Sequence, residues 1–151
     1  MPEVIDLPDS ARQDPTWFRT NGERYGRDGC RVPIPWEADA PAYGFNGSGA
    51  SWLPQPDAWA ALARDRQEGM PDSTLELYRS LLRLRREHSL GTADLTWVDG
   101  YADDVVAFRV GDVTVVANLG TTSVRMPAGT PLVHSGPVTD ELPAETTVWV
   151  R

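Results

Sequence analysis

Two arginines, an aspartate and a tryptophan fall together in Gly26-Arg-Asp-Gly-Cys-Arg-Val-Pro-Ile-Pro-Trp36. A guanidinium presents a rigid fork of donors that fits hydroxyl or carboxylate oxygens, and an indole face packs on the C–H face of a sugar ring. Arg27, Arg31 and Trp36 are therefore suited to a polyhydroxylated or anionic ligand, and Asp28 is placed to support the loop by pairing with an arginine.

The elements around these residues must hold them without regular structure. Gly26, Gly29, Pro33 and Pro35 exclude a helix and disfavour a central strand. Each proline pushes the residue before it, Val32 or Ile34, toward extended geometry, which sets Trp36 at a defined distance from the arginines. The expectation is a fixed loop.

The stretch from Gly26 to Trp36 resembles the loop after the eighth barrel strand in α-glucosidases of the α-amylase superfamily (glycoside hydrolase family thirteen), actinobacterial type. Gly44-Phe45 and Ser51-Trp-Leu-Pro54 follow in the family's order, then a leucine- and arginine-rich helix and a small β domain. The resemblance spans nearly the whole chain.

It implies an α+β fragment, the end of a (β/α)8 barrel (long loop plus last helix) followed by a small antiparallel all-β sandwich domain. Residues 1–71 would be the loop-rich segment after the eighth strand, 72–91 the last barrel helix and 92–151 the C-terminal β-sandwich. It also implies a role for Arg31, and after it Arg27, in holding the far hydroxyls of a terminal glucose. Arg31 directly precedes Val32-Pro33, matching the family's Arg-Thr-Pro form, whereas Ile34-Pro35-Trp36 departs from the commoner Met-Gln-Trp or Met-Pro-Trp ending. Asp28 and Trp36 would support the loop.

Retaining hydrolysis needs a nucleophilic carboxylate and a general acid/base about 5–5.5 Å apart. The family's three catalytic carboxylates lie on earlier barrel strands, and their motifs do not occur here. No catalytic residue, metal ligand or cofactor is expected in this chain, which is predicted inactive alone. Its partners would be the N-terminal barrel and, through the full-length enzyme, an α-glucoside disaccharide or oligosaccharide.

Composition is that of a globular chain, 40% apolar and 24% charged over 151 residues. A net charge of −8 argues against nucleic acid or an anionic membrane as partner. All fourteen cations are arginine, a pattern of codon usage more than of binding. With Cys30 as the only cysteine no intrachain disulfide forms, and no apolar run approaches the ~20 residues that span a bilayer, so a cytoplasmic location is expected.

Organisation changes near residue 71. Nine of the thirteen prolines and four of the six tryptophans lie in residues 1–71, with one short helical stretch near residues 57–66. So long a region without periodic segments, yet so aromatic, reads as one ordered only by packing on a surface outside the chain. Asp14-Pro15 carries a helix-start signal. Trp17-Phe18 reads as packing.

Beyond Pro71, Ser73 and Glu76 have capping-box spacing. Leu75, Leu77, Tyr78, Leu81, Leu82 and Leu84 predict one buried helix face, with Gly91 just past the stop. From Asp94 the apolar period becomes two. Strands are expected at 95–97, 106–110, 113–117, 123–126 and 146–150, with Gly111-Asp112 turning a hairpin and Trp149 in or beside the core.

Other signals are weaker. His88 and His134 lack a metal-spaced neighbour, and Gly44-Phe-Asn-Gly-Ser-Gly49 lacks the lysine of a phosphate loop. Arg31 is placed to lower the Cys30 pKa, although a buried thiol is expected. Two readings remain: the tail of an α-glucosidase or of a related trehalose synthase-like isomerase, or a stand-alone non-catalytic β-sandwich module that binds sugar or protein.

Overall fold

Proline-rich sequence gives the first seventy residues almost no long elements. The computed structural model describes residues 1–151, which form two compact units, Met1–Met70 and Pro71–Arg151. In the first, helix α1 (Pro15–Arg19) and helix α2 (Arg64–Gln67) are joined by 3₁₀ turns at Asp9–Ala11, Asp28–Cys30, Pro41–Gly44 and Asp57–Leu62. The helix expected over 57–66 is thus two pieces, broken where Ala63 turns extended (ψ 148).

The break has a use. It frees the first amides of α2 to reach back, so Arg64 N–H donates to the Pro35 carbonyl at 3.2 Å and Asp65 N–H to that of Trp36 at 3.1 Å. The Asp65 carboxylate in turn accepts from Ala38 N–H at 3.1 Å. These bonds stand in for secondary structure along the Pro-Ile-Pro-Trp segment.

Val4, Leu7, Val32, Leu53 and Trp59 make a core of this unit, with Ala11 and Tyr43 packed against it. Residues 1–70 therefore have an interior of their own, which corrects the expectation that they are ordered only by an outside surface. That interior is small, and Ile5, Phe18, Tyr25, Trp36, Trp52 and Met70 stay exposed.

The second unit opens with helix α3 (Thr74–Glu87), capped where Ser73 Oγ accepts from Glu76 N–H at 3.2 Å. It ends in a Schellman motif: Leu90 N–H donates to Arg85 O and Ser89 N–H to Arg86 O. The left-handed residue of that motif is Ser89 (φ 53), not the expected Gly91. The expected single buried face is also divided. Leu84 alone is buried, Leu77 and Leu81 are half-buried, and Tyr78 and Leu82 are exposed. Leucines on two sides of one helix share a heptad-like spacing, but only one side meets the sheet.

Seven strands follow: β1 (Leu95–Trp97), β2 (Val105–Val110), β3 (Val113–Asn118), β4 (Val124–Arg125), β5 (Pro131–His134), β6 (Glu141–Leu142) and β7 (Thr146–Val150). They form an antiparallel five-stranded sheet in the order β1-β2-β3-β7-β5 and a two-stranded sheet, β4-β6. Val110 pairs with Val113 around Gly111-Asp112, as the hairpin signal requires, and Gly111 takes φ 58. Strands β5 and β6 were not expected; they are short and flanked by prolines, which mask the period of two.

Ala107, Val116, Leu142, Val148 and Val150 share one core, so the small sheet contributes Leu142 to the interior of the large one. Val124 and Met126 pack against this core. Trp149, on the opposite face of β7 from Val148, lies beside it. Asn118, fully buried, joins the sheets: its Nδ2 donates to the carbonyls of Thr122, Leu142 and Pro143, and its Oδ1 accepts from Gly120 N–H. At one end, Asp112 accepts from Arg151 Nε at 2.8 Å and contacts His88 Nδ1 at 3.0 Å. The His88 contact is the largest cause holding the Asp112 carboxyl below its usual range.

Candidate functional site

Arg31 closes the 3₁₀ turn Asp28–Cys30, and its guanidinium turns back onto two carboxylates. Arg31 Nη1 lies 2.7 Å from Asp14 Oδ2 and 3.7 Å from Asp28 Oδ1. Both carboxylates are buried, while the arginine side chain is 51% exposed. One side of the guanidinium is thereby fixed and the rest faces solvent.

Neither carboxylate is left unsatisfied. Asp14 Oδ1 accepts from Thr16 N–H at 2.8 Å, and Asp14 Oδ2 takes Arg27 N–H at 3.1 Å as well as Arg31. Asp28 Oδ2 accepts from the backbone of both Gln13 and Asp14, each at 2.9 Å. The Thr16 amide, ahead of Arg31 and the Arg27 amide, holds the Asp14 carboxyl far below the usual carboxylate range against the opposing effect of burial. With Asp28 Oδ2 and both Asp14 oxygens engaged in this way, the two carboxylates anchor the loop.

The glycines of the loop are there because backbone comes too close for a side chain. Gly26 has φ 71, and a Cβ on it would lie 2.6 Å from Asp14 Cγ. A Cβ on Gly29 would collide with the Val4 carbonyl, whose own N–H donates to Gly29 O at 3.3 Å.

Of the expected site residues, Arg31 and Asp28 are brought together. Arg27 joins them through its backbone N–H, with its side chain exposed. Trp36 is tied in by its backbone, Trp36 N–H donating to Tyr43 O at 2.9 Å, with its ring exposed. Cys30 corrects two expectations. It is exposed, and its thiol pKa is pushed up, first by a hydrogen bond to Glu3, outweighing the opposing pull of Arg27 and Arg31.

The sequence reading missed three contributors. Asp14 carried only a helix-cap signal, which it honours through Thr16, and nothing local announces its partner seventeen residues on. Arg12 is buried, its Nη2 donating to Leu7 O at 2.9 Å and its guanidinium 4.6 Å and 4.3 Å from the ring centroids of Trp17 and Tyr25. Those rings are nearly parallel, 5.9 Å apart. Trp52 donates its indole N–H to the Arg31 carbonyl at 2.9 Å.

A fixed, half-exposed guanidinium in a rigid loop can select one arrangement of hydroxyl or carboxylate oxygens. Residues 5–94 match the family model for the alpha amylase catalytic domain. Maltase A1 of Drosophila melanogaster is 31% identical over 126 residues, which are 80% of this chain and 21% of the relative. A probable alpha-glucosidase of Rhizobium meliloti (strain 1021) is 36% identical over 88 residues, 58% of this chain and 16% of the relative. Among solved structures, the alpha-glucosyl transfer enzyme XgtA matches all of this chain and 31% of its own, with a TM-score of 0.76 and 27% identity. The chain thus spans about a fifth of the curated relatives it matches. With the family model covering more than half of its residues, the chain belongs to the alpha-amylase family of glycoside hydrolases.

Proposed function

We propose that this chain is the C-terminal part of a retaining α-glucosidase-type glycoside hydrolase acting on maltose-, sucrose- or isomaltose-type substrates. The observation that carries the proposal is the Arg31 guanidinium, anchored on Asp14 and Asp28 yet half open to solvent. Residues 1–71 would supply a substrate-binding loop after the last barrel strand, 72–91 the last barrel helix and 92–151 a stabilising β-sandwich. The two sheets that share Leu142, Val116 and Val148 support the last of these. Arg31 would donate to the far hydroxyls of a terminal glucose, with Arg27 beside it.

Hydrolysis itself would come from carboxylates outside this chain, since Asp14 and Asp28 are both spent on holding the loop. The description of XgtA as an alpha-glucosyl transfer enzyme favours a second reading of the same site, in which a sugar and not water accepts the glucosyl group. No helix is long and apolar enough to cross a membrane.

The test is the intact mass of the native polypeptide, detected with an antibody to residues 72–151, followed by assay of that polypeptide on maltose, sucrose and isomaltose. A product several times longer that cleaves an α-glucoside, and loses affinity for it on Arg31→Ala, is the expected result. A native product of 151 residues would overturn it.

A further inference from the structure

Beside Arg31 lies an open depression of about 510 Å³ lined by Gln13, Asp28, Arg31, Trp52 and Leu53. Its parts are unusually well fixed for a surface feature. Trp52 is 55% exposed, yet its indole is tied at one end by the bond to Arg31 O and braced by Phe45, whose ring stands edge-on at 4.8 Å and 86°. Gln13 spans the depression: its backbone N–H donates to Asp28, and its Nε2 donates to the Trp52 carbonyl at 3.2 Å. Leu53 is buried beneath.

An exposed indole costs hydration free energy, and holding it in one orientation costs rotamer entropy. Both costs are already met here, so a ligand that covers the ring gains contact without ordering it. The groups converging on the space are a guanidinium donor, a carboxamide oxygen and an aromatic face, the set that fits the hydroxyl rim and apolar C–H face of a pyranose. Trp36, nearly as exposed, has a pinned backbone but no hydrogen bond from its indole and no ring braced against it.

We propose, on the footing that Arg31 holds sugar hydroxyls, that Trp52 is the stacking platform for a glucosyl unit in this depression, with Gln13 as its second polar contact. Trp52 thereby extends the binding surface of the loop beyond its arginines. All three groups are set by one buried carboxylate, Asp28, which takes the Gln13 amide on one oxygen and faces Arg31 with the other, while Trp52 hangs from the Arg31 carbonyl.

The test is a titration with maltose of the ¹⁵N-labelled native polypeptide that contains this chain, following the indole N–H of Trp52, the side-chain amide of Gln13 and the backbone amide of Arg31. Trp52→Phe identifies the indole signal by its disappearance, and the wild-type titration alone decides the outcome. The expected result is that the three signals move together and saturate with maltose, but not with the open-chain polyol sorbitol. Trp52→Leu should weaken the response at Arg31 about five-fold. Movement at Arg31 with Trp52 unmoved would overturn the platform and leave the reading of Arg31 standing. No movement at any of the three would overturn both.

Discussion

Asp14 and Arg31 meet at 2.7 Å across seventeen residues of chain, and the same Asp14 carboxylate caps α1 through Thr16 N–H. Helix start and the Arg31 loop therefore share one charge.

That sharing makes the loop acid-sensitive. A carboxyl whose folded pKa is depressed stabilises the fold above its unfolded value, near 4, and the contribution is lost as the pH falls through the folded value. Asp14 lies below the usual range, so the first unit should loosen on acidification below about pH 4. Tryptophan fluorescence against pH measures this, and Asp14→Asn should remove the sensitivity while leaving the first unit less stable at neutral pH.

Gly26→Ala should destabilise the first unit by about 2–4 kcal/mol, combining a left-handed backbone with an overpacked contact on Asp14. Gly47, with open space around it and an ordinary φ, is the control and should change stability by less than about 0.5 kcal/mol as Gly47→Ala. Urea unfolding of both variants gives the comparison.

Ser89→Gly should raise stability by about 0.5–1 kcal/mol, because it relieves a left-handed residue at the end of α3. Gly91→Ala should do little, since a Cβ there meets only the mobile end of Arg85 at 3.2 Å. Thermal unfolding of the two variants distinguishes a Schellman end at Ser89 from one at Gly91.

Asn118→Ala should cost about 2–3 kcal/mol, since it strands three carbonyls and the Gly120 amide in the interior of the β domain. Hydrogen exchange at Gly120 should rise with the loss. An unchanged exchange rate would mean that Asn118 does not join the sheets.

What was legible in the sequence was local. The Ser73 cap on Glu76 N–H and the Gly111-Asp112 hairpin each depend on residues a few positions apart, and both are present. The loop glycines were visible as breakers, but not their reason, because Gly26 answers to Asp14 and Gly29 to Val4 across the fold. Asp14, Arg12 and Trp52 were missed for the same cause: their partners, Arg31, the Trp17–Tyr25 pair and the Arg31 carbonyl, are set by tertiary geometry alone. The leucines of α3 misled in the other direction. Periodicity reports which side chains are apolar, not which side of the helix a sheet will cover.

The position of β7 between β3 and β5 has a consequence in time. β2 and β3 pair across a two-residue turn and can zip as soon as both exist, whereas β3 must wait about thirty residues for β7, paying the closure entropy of a long loop. β5 waits too, since β7 is its pairing partner although it comes later in the chain. During synthesis the domain therefore passes through a stage with two unzipped edges, one on β3 and one on β5, open to any other strand in the cell. Arrival of Thr146–Val150 seals both at once.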